Sequence, residues 1–183
     1  MHIDDMNAGQ RKLVADAARG SAIGGLMAAL HPVHWIIGVL GFVLIAIRAN
    51  QMRALRPGFD RVQRYASLCA ACKVVYMALR GTPAAVAVWM ALPVLETLLA
   101  YALWQAFGRM CADGNKTGRA ALCAALLCAG LTVAGTGMGH LGLLLPVVYL
   151  TAHNMSLGFQ TLAAILLAAF LLIKRRKLKE DTR

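Results

Sequence analysis

From Asn154 to Ile173 the chain carries no charged residue, and Lys174-Arg175-Arg176-Lys177 follows at once. Wound as a helix, a run of that length matches the hydrocarbon core of a bilayer. Inside lipid the backbone must satisfy its own hydrogen bonds, so an unbroken apolar run of this kind reads as a spanning helix closed by a cytoplasmic stop. Further apolar blocks recur along the chain. Hydrophobic residues make up 60% of the 183, with a mean hydropathy of +0.63, more apolar surface than a soluble domain of this size needs. The expected fold is all-α: a polytopic bundle of about six spans in one integral membrane domain, residues 1–183. The predicted spans are 11–30, 33–47, 65–80, 84–107, 119–134 and 154–173.

The formal net charge is +11. The basic residues cluster in short stretches between apolar blocks, so they read as topology signals and contacts to anionic lipid headgroups, and nucleic acid is not the expected partner. Residues 48–64 hold Arg48, Arg53, Arg56, Arg61 and Arg64 against Asp60 alone and read as a long cytoplasmic loop with a turn at Pro57-Gly58. Residues 108–119 and the C-terminus are basic as well. An even number of crossings must separate these stretches, which makes 65–107 a hairpin turning at Arg80-Gly81-Thr82-Pro83. The whole is three hairpins with both termini inside. Met1 to Gln10 lacks the pattern of a cleavable signal peptide.

Some segments resist a simple reading. In 11–30, Asp16 and Arg19 interrupt the first half, while Ala18/Ala22 and Gly20/Gly24 have the spacing that lets helices approach closely. His31-Pro32-Val33-His34 should break the helix before the second span. Gly130 and Ala134 suggest tight packing of the fifth. Gly135-Thr136-Gly137-Met138-Gly139-His140 is expected to be costly as regular helix, and the stretch near 139–152 should be re-entrant or lie at the outer surface.

The middle of the chain carries Arg61 to Tyr65 leading into a span, then Leu95-Glu96-Thr97-Leu98-Leu99 running on to Phe107-Gly108-Arg109-Met110 and a short polar loop. Over about residues 36–130 this resembles a loose group of small multi-pass bacterial membrane proteins without assigned function. The resemblance implies a bacterial cytoplasmic membrane and no activity. In size, span number and inside termini the chain is also similar to the substrate-binding subunits of energy-coupling-factor vitamin transporters. Ala18 and Ala22 then stand where those subunits use a small-residue pair for docking. The polar first segment and the basic stretch 48–64 depart from that pattern.

Two charges stand inside apolar blocks, Lys73 and Glu96. Each costs about 2.5–3.5 kcal/mol at the centre of a membrane helix, so they should face a partner or a cavity. Tyr65, Cys69, Cys72, Lys73, Tyr76 and Arg80 recur on one helical face, and Trp89, Pro93, Glu96, Ala100 and Trp104 on another. Lys73, Glu96, Tyr76, Trp89 and Tyr101 are the candidate ligand or ion-pair residues. A structural ion pair is the plain alternative to a lined cavity. His31, His34, His140 and His153 should gather on the outer side, where four imidazoles have the chemistry of a metal or haem site; otherwise no cofactor is expected. Cys69-Ala70-Ala71-Cys72 has the spacing of a redox pair but lies within a span facing a reducing compartment. No nucleophile elbow, Walker loop, HExxH or carboxylate pair is present, and Ser67 and Ser156 show no partner by sequence.

These features favour a non-enzymatic, transport-related protein of the bacterial cytoplasmic membrane: a permease, a transporter's substrate-binding subunit or an accessory subunit. The alternatives are a scaffold for a protein partner or a second copy of the chain, and a metal- or haem-binding redox protein.

Overall fold

The computed structural model describes residues 6–30, 35–110, 114–140 and 142–180. Among them the chain is all helical, in six elements: α1 (Ala8–Ala29), α2 (Trp35–Met52), α3 (Gly58–Ala78), α4 (Pro83–Gly108), α5 (Asn115–His140) and α6 (Pro146–Glu180). Short connections make chain neighbours antiparallel. Each helix packs on the next, and α6 packs back on α1, so the six form a closed ring. One cluster of buried side chains draws on all six helices.

α2, α4, α5 and α6 are long and apolar enough to cross a membrane. α1 and α3 carry more charge, and each stands in the ring between two apolar helices. The interior is built largely from alanine, while Ile36, Leu40, Ile47, Leu98, Leu126, Leu127 and Ile165 face outward. Small residues inside and large aliphatic ones outside suit a bundle whose solvent is lipid.

Several boundaries differ from expectation. The stretch 48–64 is no long loop: α2 runs to Met52, α3 starts at Gly58, and only 53–57 connects them. The charges that suggested a loop pair with one another instead. Arg53 and Arg64 reach Asp60 at 3.1 and 2.6 Å, and Arg53 donates to Gln63 at 3.2 Å. Arg56 donates to the Ala106 carbonyl at 3.2 Å, and burial, followed by the nearby Arg109 charge, lowers its pKa.

The glycine-rich segment after Gly135 is helical to His140, and residues from Pro146 onward belong to α6. The glycines serve packing: a Cβ on Gly139 would meet the Tyr149 ring at 2.8 Å, and one on Gly135 would meet Ala152 at 3.3 Å. Only 142–145 remain as connection among the described residues of 141–145. Gly130 and Ala134, expected to pack tightly, face outward; α5 packs through Ala121, Ala124, Ala125 and Cys128.

α1 begins in a capping box, with Asn7 and Gln10 each bonding the other's backbone N–H. Ala18 and Ala22 are buried within the bundle and present no docking surface. Lys174 is not a solvated stop residue. It is 1% exposed, donates to Asn115 Oδ1 at 2.9 Å and lies over the Phe170 ring.

Candidate functional site

In α3 the buried positions Val62, Ala66, Cys69, Ala70 and Lys73 follow helical spacing, so the face that packs into the ring carries Lys73 in with it. The ammonium has three neighbours. Glu96 Oε1 of α4 is 3.9 Å away, the Ala28 carbonyl of α1 accepts at 3.4 Å, and the Phe42 ring centroid of α2 lies at 5.0 Å. Lys73 is 3% exposed.

Glu96 is set by α4, where Pro93 lies one turn before it. Proline has no N–H to give, which loosens the helix ladder there. Thr97 braces the same turn, its hydroxyl lying 2.8 Å from the Pro93 carbonyl and 3.1 Å from that of Ala125. Gln160 of α6 reaches across the ring and donates to Glu96 Oε2 at 2.9 Å. Oε1 is buried and makes no hydrogen bond.

Three cavities lie end to end through shared walls. A chamber of about 70 Å³ sits mid-bundle, with Ala28, Phe42, Leu99, Ala163, Thr97 and Glu96 among its lining. A neck of about 20 Å³ shares Pro93, Glu96, Cys128 and Gln160 with it. The neck in turn shares Trp89, His153 and Leu157 with a vestibule of about 640 Å³ that opens at the end of the bundle holding Gly81 and His140. Glu96 thus stands at the junction of neck and chamber.

The vestibule has an aromatic wall: Tyr76 to Trp89 at 5.3 Å, Trp89 to His153 at 6.2 Å, and His153 stacked on Tyr149 at 6.4 Å between centroids. Arg80, Thr82, Thr136 and His140 also line it, His140 Nδ1 lying 3.2 Å from the Thr136 carbonyl. Beside the neck, Ser156 bonds Thr132, contacts Cys128 Sγ at 3.4 Å and lies 3.3 Å from the Cys128 carbonyl. Ser156 therefore does have partners, but no base among them makes it a nucleophile.

The structure brings together Lys73 and Glu96 as the helical spacing anticipated, and places Tyr76 and Trp89 on the way to them. Tyr101 does not join this group. It is on the outer face of α4, bonded by Gln105, with its ring 6.0 Å from that of Trp104 and tilted to it. Tyr101 lies five positions after Glu96, about 140° round the helix, so it points away from the chamber. His140 and His153 share the vestibule; His31 and His34 lie outside the described residues. Among the described residues no three His, Cys, Asp or Glu side chains stand together as a metal site. Sequence reasoning missed Gln160 and the Thr132–Ser156 pair. Their signal was present as polar residues inside apolar blocks, but short polar groups in such blocks commonly bond their own helix.

Comparison of the chain with protein-family models, with curated proteins and with solved structures finds no match. Its four apolar helices fit an integral membrane protein.

Proposed function

We propose that the chain is a small-molecule permease, or the ligand-binding membrane subunit of a transporter, in a bacterial cytoplasmic membrane. It is one integral membrane domain of the multi-pass kind that its middle resembles. Both termini are cytoplasmic and the vestibule opens outside. Among the described residues, every Lys and Arg except Lys73 and Arg80 lies toward the opposite end, which supports that orientation.

The observation that carries the reading is the place of Glu96. Its buried Oε1 makes no hydrogen bond and meets Lys73 only at 3.9 Å, and Glu96 lines both the chamber and the neck, whose walls adjoin those of the open vestibule. A mainly apolar cavity with a few convergent polar groups is the usual form of a small-ligand site. A purely structural ion pair has no need of the vestibule or neck.

The test is access. On a background with the five native cysteines replaced by alanine, Glu96→Cys is treated in whole cells with a small thiosulfonate that carries a permanent charge and so does not cross the membrane. Gln160→Cys, from the same junction, serves if the first variant does not fold. Reaction from outside, as at Val86→Cys in the vestibule, supports the reading. An unreactive junction beside a reactive Val86→Cys removes it.

A further inference from the structure

We propose that the ligand of this site is a small primary amine, taken up in exchange for the proton of Lys73. The inference rests on the ligand-access reading above.

Lys73 shows what the site is built to hold. Its ammonium lies among a carboxylate oxygen at 3.9 Å, a carbonyl oxygen at 3.4 Å and the face of a ring at 5.0 Å. An anionic acceptor, a neutral acceptor and a π face are the groups that favour an ammonium ion. None is at the ~2.7–2.9 Å of a good charge-assisted hydrogen bond. The tethered cation meets Glu96 as an ion pair without a direct hydrogen bond, and Glu96 Oε1 makes no hydrogen bond.

The chamber sets the size. About 70 Å³ holds two or three waters, or a molecule of a few heavy atoms, at about 30 Å³ per water. Away from Glu96, Thr97 and Gln160 its walls are mostly aliphatic, so a short alkyl body suits it. A divalent metal ion needs several ligands that are not gathered among the described residues. The described vestibule lining contains one cation, Arg80, and no carboxylate, so no anion there competes with Glu96, and its aromatic wall offers π faces to an organic cation.

Charge balance requires the exchange. With Lys73 protonated, Glu96 is neutralised; a second ammonium would leave a net positive charge among apolar walls, which is costly. Lys73 therefore releases one proton as the amine cation binds. R–NH3+ and Lys73–NH3+ become R–NH3+ on Glu96, Lys73–NH2 and H+, with no other bond made or broken. The titratable groups around Lys73 are Cys69 on its own helix and Glu96 on α4, with Cys128 of α5 beside Glu96. α1 and α2 present the Ala28 carbonyl and the Phe42 ring. The proton leaves by way of Glu96, which lies 3.9 Å from Lys73 and lines the neck together with Ser156 and His153.

The test uses the full chain purified in detergent. Radiolabelled propylammonium is bound in weakly buffered solution while the pH is followed, with tetramethylammonium and propionate as controls. The wild type is expected to bind propylammonium with release of one proton per amine, and neither control. Glu96→Gln should weaken binding by about tenfold or more, which is about 1.4 kcal/mol. Lys73→Arg keeps a charge that is not released and should also weaken it, while Lys73→Met should bind without proton release. If Lys73→Met fails to fold, Lys73→Arg decides alone. Amine binding by the wild type without proton release, or amine binding unchanged in Glu96→Gln, overturns the proposal. So does absence of amine binding. In that case a reactive Glu96→Cys still upholds the access reading, and an unreactive one removes both.

Discussion

Gly24 of α1 and Gly41 of α2 cross with their backbones in contact. A Cβ on Gly24 would lie 2.6 Å from the Gly41 carbonyl oxygen, and one on Gly41 would meet the Gly24 carbonyl and lie 2.6 Å from the Ala28 nitrogen. This crossing holds the last turn of α1 close to α2 and α3. The Ala28 carbonyl, one turn beyond Gly24, is the acceptor of the Lys73 ammonium. The close approach of two glycines thus positions the site.

Gly41→Val should cost about 1–3 kcal/mol or more, because backbone rather than a flexible side chain opposes the added atoms. Gly130→Ala meets open space on the outer face of α5 and should stay within about 1 kcal/mol of wild type. Unfolding in detergent, followed by tryptophan fluorescence, checks both. Equal stability of Gly41→Val and wild type would contradict the crossing.

The Lys73–Glu96 pair should show strong coupling. Removing one partner of a buried pair costs about 3–5 kcal/mol because the other charge is stranded. Lys73→Met should therefore lose more stability than Lys73→Met with Glu96→Gln. A double-mutant cycle measures the difference, and additive losses would show that the two do not interact.

Topology follows from the charges. Single cysteines at Gly81 or Thr82 should label from outside the cell, and those at Arg109 or Lys116 only after the membrane is permeabilised. Cytoplasmic labelling at Gly81 would invert the proposed orientation and close the vestibule to external ligand.

Asn115 should matter where its neighbour does not. Its side chain accepts from the buried Lys174 and donates to the Gly108 carbonyl at 3.2 Å. Asn115→Ala should cost about 1–3 kcal/mol, the range for buried polar groups that lose a partner. Lys116→Ala, exposed on the next position, should stay within about 0.5 kcal/mol. Thermal unfolding of the two variants side by side decides it.

Apolar runs and prolines made the helices legible in the sequence. Pro83 opens α4, and the uncharged run 154–173 lies inside α6. Lys73 and Glu96 stood out because charge inside such runs is rare, and helical spacing brought them within reach of each other. The ends of the helices were less legible. Arg48 and Arg64 look like loop residues, yet α2 and α3 extend over them: Arg48 bonds Gln51 within its own helix, and Arg64 pairs with Asp60 one turn before it. Gly135 to Gly139 look like a break, but the missing side chains make room for Tyr149 and Ala152.

By itself the sequence determined what depends on neighbours along the chain: the helices, the polarity of the two ends, and the two buried charges that need a partner. The tertiary structure decided what depends on contacts between distant segments. The packing of α6 on α1 closes the ring, which brings together the walls of the chamber. Gln160 meets Glu96 across it, while Tyr101, alike in composition to Tyr76, is turned outward by its helical phase. Periodicity fixes which face of a helix is buried. It does not say which other helix will cover that face, because small residues such as Gly24 and Gly41 acquire their role only when two backbones meet.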